Sequence, residues 1–83
     1  MAYKLSFRIR RCYFDQIVAG TKDREVRARK MFWTVRAIEA RDHLVSNYKV
    51  VAVFLCGKDV HRRYVTAVLE YPTAKMALGR DPS

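Results

Sequence analysis

Four residues of chemically useful types lie together in the stretch "AGTKDREVRAR", residues 19–29. Lys22 and Arg27 are cations of the kind that hold a phosphate or polarise a carbonyl. Glu25, between them, can accept hydrogen bonds from the amino or imino edge of a base, or orient the arginine. Gly20 lets the backbone turn tightly and leaves space beside it. The same spacing also fits a surface ion pair between Glu25 and Arg27, worth about 0.2–1 kcal/mol if exposed. Spacing alone leaves both readings open.

The elements that must position these residues can be read from hydrophobic periodicity. Lys4 to Arg10 alternates Leu5, Phe7 and Ile9 with Lys4, Ser6, Arg8 and Arg10, which predicts a strand with one core face and one basic face. Phe14, Ile17 and Val18 recur at helical spacing within Arg11–Ala19, and Gly20 follows as a left-handed stop. Asp23 to Arg29 resumes a period of two, with Val26 and Ala28 on one side and Glu25, Arg27 and Arg29 on the other. Residues 31–46 predict a helix with Trp33, Ala37, Ala40 and Leu44 on one stripe and Val35, Ile38 and Val45 nearly opposite. Such a helix must be sandwiched or cover a partner; the alternative is a partly extended 32–38 with a later helix start. Val50–Cys56 reads as a buried strand, Gly57-Lys58-Asp59 as a turn, and Val60–Tyr71 as the returning strand, ended by Pro72. Along that strand Val65, Ala67, Leu69 and Tyr71 share one face. Residues 73–83 read as a tail with one helical turn around Lys75 to Leu78.

An 83-residue chain is one domain, 1–83. A chain of this size buries only about 60–65% of the surface it exposes unfolded, so its core is small. The order strand, helix, strand, helix, strand, strand predicts an α+β domain built on a strongly curved sheet or small β-barrel flanked by two helices. The longest apolar run is too short to span a bilayer, and the N-terminal residues lack the apolar core of a signal peptide, so the expectation is a cytoplasmic protein without membrane contact. Seventeen Lys and Arg against eight Asp and Glu give a net charge of +9. Residues 1–30 alone hold nine basic and three acidic residues. That imbalance points to a polyanionic partner such as nucleic acid, a nucleotide or an acidic protein surface.

The "GTKDREVRA" segment resembles the G-x-K-x-x-E-x-R signature of the activating-signal-cointegrator homology (ASCH) domain, within the PUA-like superfamily. "RRCYFDQIVAG" resembles the helix that precedes that signature, and "VVAVFLCG…RRYVTAVLEY" its closing hairpin, so the likeness covers residues 4–72. The resemblance implies a PUA-like β-barrel with a cleft that binds RNA or nucleotides, lined here by Gly20, Lys22, Glu25 and Arg27. It also brings in enzymatic alternatives, since some members are ribonucleases and a small bacterial relative is an N4-acetylcytidine amidohydrolase. On that alternative Lys22 matches the relative's lysine, Glu25 stands where it has a threonine, and Glu70 would be its distant acid by order. The chain also departs from the family in having Ser46-Asn47-Tyr48-Lys49 in place of a Gly-Asp step.

The remaining candidates belong to a binding surface. Arg8, Arg10 and Arg11, Lys22 to Lys30 with Arg29, and Arg62-Arg63 are expected to form one basic surface, on which Tyr64 stacks a base or simply packs at a rim. His43 and His61 are candidate proton shuttles, more simply read as structural. Basic neighbours should keep Glu25 ionised and therefore a weak base. Cys12 and Cys56 have no metal-ligand spacing and read as buried free thiols; no metal or cofactor is expected. A third class of function is a small protein-binding modulator, or a homodimer, acting through the 31–46 helix.

Overall fold

The computed structural model describes residues 2–27, 30–70 and 74–82, leaving aside the side chains of Glu70 and Ala74. The elements run β1 (Ala2–Arg8), α1 (Arg11–Ala19), β2 (Arg24–Arg27), α2 (Met31–Val45), β3 (Lys49–Cys56), β4 (Asp59–Glu70) and β5 (Ala74–Leu78). The strands form one mixed sheet in the order β1-β3-β4-β5-β2, with β1 parallel to β3 and the other pairs antiparallel. Crossing from β1 to its parallel neighbour β3 takes up residues 9–48, room for both helices and β2. The sheet is open, with β1 and β2 as its edges, so the fold is α+β on a five-stranded sheet and not a closed barrel. No helix is long and apolar enough to cross a membrane.

Leu5 and Phe7 of β1 point to the core as their alternation requires, and Phe14 and Ile17 of α1 meet them there. Val50 to Phe54 is buried on both pleats, which accounts for its unbroken apolar run. Helix α2 lays Ala37 and Ala40 against the sheet with no exposure at all, flanked by Trp33 and Leu44. Its other side leaves Met31, Phe32, Val35 and Val45 exposed. The continuous helix over 31–45 resolves the extended alternative for 32–38.

Three expectations are corrected. First, Lys75 to Leu78 is a strand: Met76 and Leu78 are buried while Lys75 and Ala77 are only half-buried, the period of two that the short segment conceals. β5 fills the place between β4 and β2, so the supposed tail is an interior strand. Second, β4 does not keep one face throughout. Register shifts between Val65 and Ala67 and between Val68 and Glu70 rotate the pleat, so Val68 joins Val65 at the core while Leu69 is exposed. Third, Cys12 is exposed rather than buried, and Cys56 is half-buried; both are free thiols. Strand β2 is turned the opposite way from an ordinary edge strand, with Val26 53% exposed and Glu25 4% exposed.

Candidate functional site: a cationic cleft around a buried carboxylate

The cleft begins with the way α1 ends. Gly20 adopts φ 81°, the left-handed region that glycine tolerates best, and closes the helix. The Gln16 carbonyl accepts the backbone N–H groups of Thr21 (2.9 Å) and Lys22 (3.2 Å). Lys22 is thereby fixed at the mouth of β2. Its Nζ donates to the Arg24 carbonyl at 2.6 Å, lies 3.9 Å from Glu25 Oε1, and sits 5.7 Å from the centroid of the Tyr13 ring.

Glu25 points inward from β2, and Arg27, two residues on, follows it on the same pleat. Arg27 Nε lies 2.6 Å from Glu25 Oε2. That nitrogen is nevertheless buried without a well-aimed hydrogen bond, so the two groups meet as charges in contact. The guanidinium rests 5.0 Å from the Phe7 ring centroid and 5.2 Å from that of Trp33, two rings stacked 15° from parallel. Its Nη2 donates to the Arg8 carbonyl at 3.3 Å. Arg27 thus reaches from one edge strand of the sheet to the other, which requires the sheet to curl.

Burial pushes the Glu25 carboxyl above its ordinary range, and this outweighs the opposing pull of Arg27 and Lys22. The expectation that basic neighbours would leave Glu25 a weak base is corrected: desolvation is the larger effect.

Around this group lies a cleft of about 440 Å³ lined by Arg8, Ile9, Arg10, Tyr13, Lys22, Glu25, Val26 and Arg27. Two of its cations, Lys22 and Arg27, lie against the carboxylate, and Arg8 and Arg10 line the same cleft. Among the described residues neither the Arg8 nor the Arg10 side chain is paired with an acid. The arrangement can hold a polyanion by its rim and present a carboxyl acceptor, or a carboxylic acid when protonated, at its floor.

Of the residues singled out from the sequence, Arg8, Arg10, Lys22, Glu25 and Arg27 are brought together here. Gly20 shapes the turn without lining the cleft. Arg62 lies in a separate recess with His61 and Asp81, and Tyr64 in a groove near Lys49 and Arg80. The single basic surface expected across β1, β2 and the hairpin is thus divided. Arg11 is engaged by Asp59 at 2.7 Å, and Arg63 is turned to the carbonyls of Gly79 and Ile17 as a strut. Arg29 and the side chain of Glu70 lie outside the described residues. Neither histidine reaches the cleft: His43 stacks on Tyr3, and His61 packs its edge against Phe14 near Asp81. Among the described residues no cluster of metal-ligating side chains occurs. Sequence reasoning missed Tyr13, Ile9 and Val26 as cleft walls. Val26 and Ile9 looked like core, and nothing in the spacing of Tyr13 ties it to Lys22.

No protein-family model, curated protein or solved structure matches this chain.

Proposed function

We propose that this chain is an ASCH-like domain that binds RNA or a nucleotide in the cleft of Lys22, Glu25 and Arg27. The single observation behind this reading is a concave site in which Lys22 and Arg27 meet the buried Glu25 carboxylate and Arg8 and Arg10 line the same cleft. Arg8 and Arg10, without an acidic partner among the described residues, would grip phosphate oxygens, with arginine's planar fork suited to two at once. Glu25 would accept from the exocyclic amine or ring N–H of a base, and Tyr13 offers a ring face at the rim. The resemblance of residues 20–27 to the G-x-K-x-x-E-x-R signature supports the same reading from the sequence.

Fluorescence anisotropy with a labelled single-stranded RNA tests it. Arg10→Ala and Lys22→Ala should each weaken binding. Log affinity should fall with log salt at a slope of about −0.7 per phosphate contacted. Binding that is indifferent to salt, or unchanged in both variants, would overturn the proposal.

A catalytic reading draws on the burial of Glu25 in the cleft, which pushes its carboxyl above the ordinary range and suits it to proton transfer. RNA cleavage or N4-acetylcytidine turnover that disappears in Glu25→Gln, with RNA binding retained, would favour the enzyme over the binding module.

A further inference from the structure

At the other end of the sheet lies a second concave site, independent of the cleft. Ala2 pairs with Lys49 and Arg8 with Leu55, so Lys49 stands six residues along β3 from the level of Arg8. At the rise of a strand this is about 20 Å. The groove there has a volume of about 520 Å³ and is lined by Leu44, Asn47, Tyr48, Lys49, Tyr64, Thr66 and Arg80.

Its construction is specific. Asn47 takes φ 66° and turns the chain out of α2 into β3, which sets Tyr48 and Lys49 on one wall. On the other wall the chain beyond β5 continues to pair with β4. Gly79 N–H donates to the Tyr64 carbonyl at 2.7 Å and Tyr64 N–H to the Arg80 carbonyl at 2.9 Å. Arg80 is thereby held beside Tyr64. Lys49 Nζ and the Arg80 guanidinium carbon lie 5.1 and 5.0 Å from the centroid of that one ring.

Two like charges drawn to one ring repel each other, and the ring's negative faces offset only part of this. Among the described residues no carboxylate is paired with either of them. Asp15 and Asp59 lie on Arg11, Asp23 on Arg24, Glu25 on Arg27, Glu39 on the Tyr3 hydroxyl, Asp42 on Arg41 and Asp81 near His61. None of these described carboxylates lines the groove. A dianion placed between Lys49 and Arg80 would turn the repulsion into two attractions. Leu44 and the rings of Tyr48 and Tyr64 then leave an apolar, aromatic wall beside it, with the Asn47 amide and the Thr66 hydroxyl as hydrogen-bonding groups.

From this juxtaposition we infer that the groove binds a phosphomonoester carrying a planar ring, of mononucleotide size, with the phosphate between Lys49 and Arg80 and the ring against Tyr48 or Tyr64. The site does not depend on the function of the cleft at Glu25.

Titration of the full ¹⁵N-labelled chain with adenosine 5′-monophosphate, ribose 5-phosphate and inorganic phosphate, each at matched ionic strength, tests this inference. Saturable shifts are expected at the amides of 47–49, 64–66 and 80, with the nucleotide tightest because only it offers a planar aromatic ring. Lys49→Ala/Arg80→Ala should weaken the nucleotide at least about tenfold, as loss of charge-assisted contacts demands. Arg10→Ala, which alters the other cleft, should leave these shifts unchanged. Shifts that fail to saturate, or that chloride reproduces, would overturn the phosphate site. Equal affinity for ribose 5-phosphate and the nucleotide would overturn the role given to the ring. Loss of these shifts in Arg10→Ala would overturn the independence of the two sites.

Discussion

Removing the Arg27 side chain should destabilise this fold by about 3 kcal/mol at neutral pH, even though the residue lines a solvent-facing cleft. Glu25 is 4% exposed, with Arg27 Nε 2.6 Å away. Breaking a buried ion pair from one side typically costs about 3–5 kcal/mol, because the remaining charge is stranded. Two features place this case at the lower end. Lys22 Nζ remains 3.9 Å from the other carboxylate oxygen, and a carboxyl already pushed upward by burial can take a proton instead of staying charged. The contacts with Phe7 and Trp33, about 0.5–1 kcal/mol for each ring, are included in the figure of about 3 kcal/mol, because the relief from Lys22 and from protonation offsets a comparable amount. Against a total stability of roughly 4–12 kcal/mol for a chain of this length, that is a large share. At about 4–8 °C per kcal/mol for a small domain, the melting temperature should fall by some 15 °C. The assay is urea unfolding followed by far-ultraviolet circular dichroism at pH 7, on the parent, Arg27→Ala, Glu25→Gln and the double variant. The double variant should recover at least half of the loss, since a neutral amide has no need of a cation. A loss below about 1 kcal/mol in Arg27→Ala, or a double variant as unstable as the two singles summed, would refute the reasoning. Arg27→Ala is consequently a poor probe of binding, whereas Arg10→Ala and Lys22→Ala perturb the cleft while sparing its closest ion contact.

Three further outcomes are expected. The folded pKa of Glu25 lies above its unfolded value, so its contribution to stability is full below the ordinary carboxylate pKa and is lost as pH rises through the raised one; unfolding curves across that window should show Glu25→Gln gaining on the parent as pH increases, and a constant difference would contradict this. Removing residues 74–83 should abolish the fold instead of trimming a tail, because among the described residues β5 is the only sheet neighbour of β2; a truncated chain with the parent's circular dichroism and melting temperature would contradict this. A methyl group added at Gly79 would meet Thr66 Cγ2 at 2.6 Å, so Gly79→Ala should cost about 1–3 kcal/mol by overpacking. Combining it with Thr66→Ala should relieve most of that cost, and thermal melts of the two variants decide the matter.

Much of the architecture was legible because periodicity and burial agree where an element is long. Helices α1 and α2 and strands β1 and β3 stand close to where their spacing puts them, and the Trp33-Ala37-Ala40-Leu44 stripe faces the core. The failures share a cause, which is that tertiary contacts decided the outcome. Lys75 to Leu78 is too short for its alternation to compete with helix propensity, and only pairing with both β4 and β2 makes it a strand. The two register shifts in β4 leave no mark in the sequence, so Leu69, which its spacing groups with Val65, is exposed while Val68 packs at the core. The motif residues could be named from their types. The burial of Glu25 could not, because an edge strand ordinarily turns its valine inward and its glutamate outward. What reverses β2 is Arg27, whose guanidinium finds the Phe7 and Trp33 rings only after the sheet has curled. The scattering of Arg62, Arg63 and Tyr64 away from the cleft likewise depends on strand order, which composition does not encode.

Because the strand bearing Glu25 and Arg27 is joined to the sheet through a segment that follows it by some fifty residues, the pocket is a late product of synthesis. While the ribosome is still adding β4, residues 24–27 lack the strand they pair with, and Glu25 and Arg27 are not yet held against the sheet. A nascent chain would therefore carry its positive charge before it has a cleft. The concave shape is completed only when β5 slides into its slot.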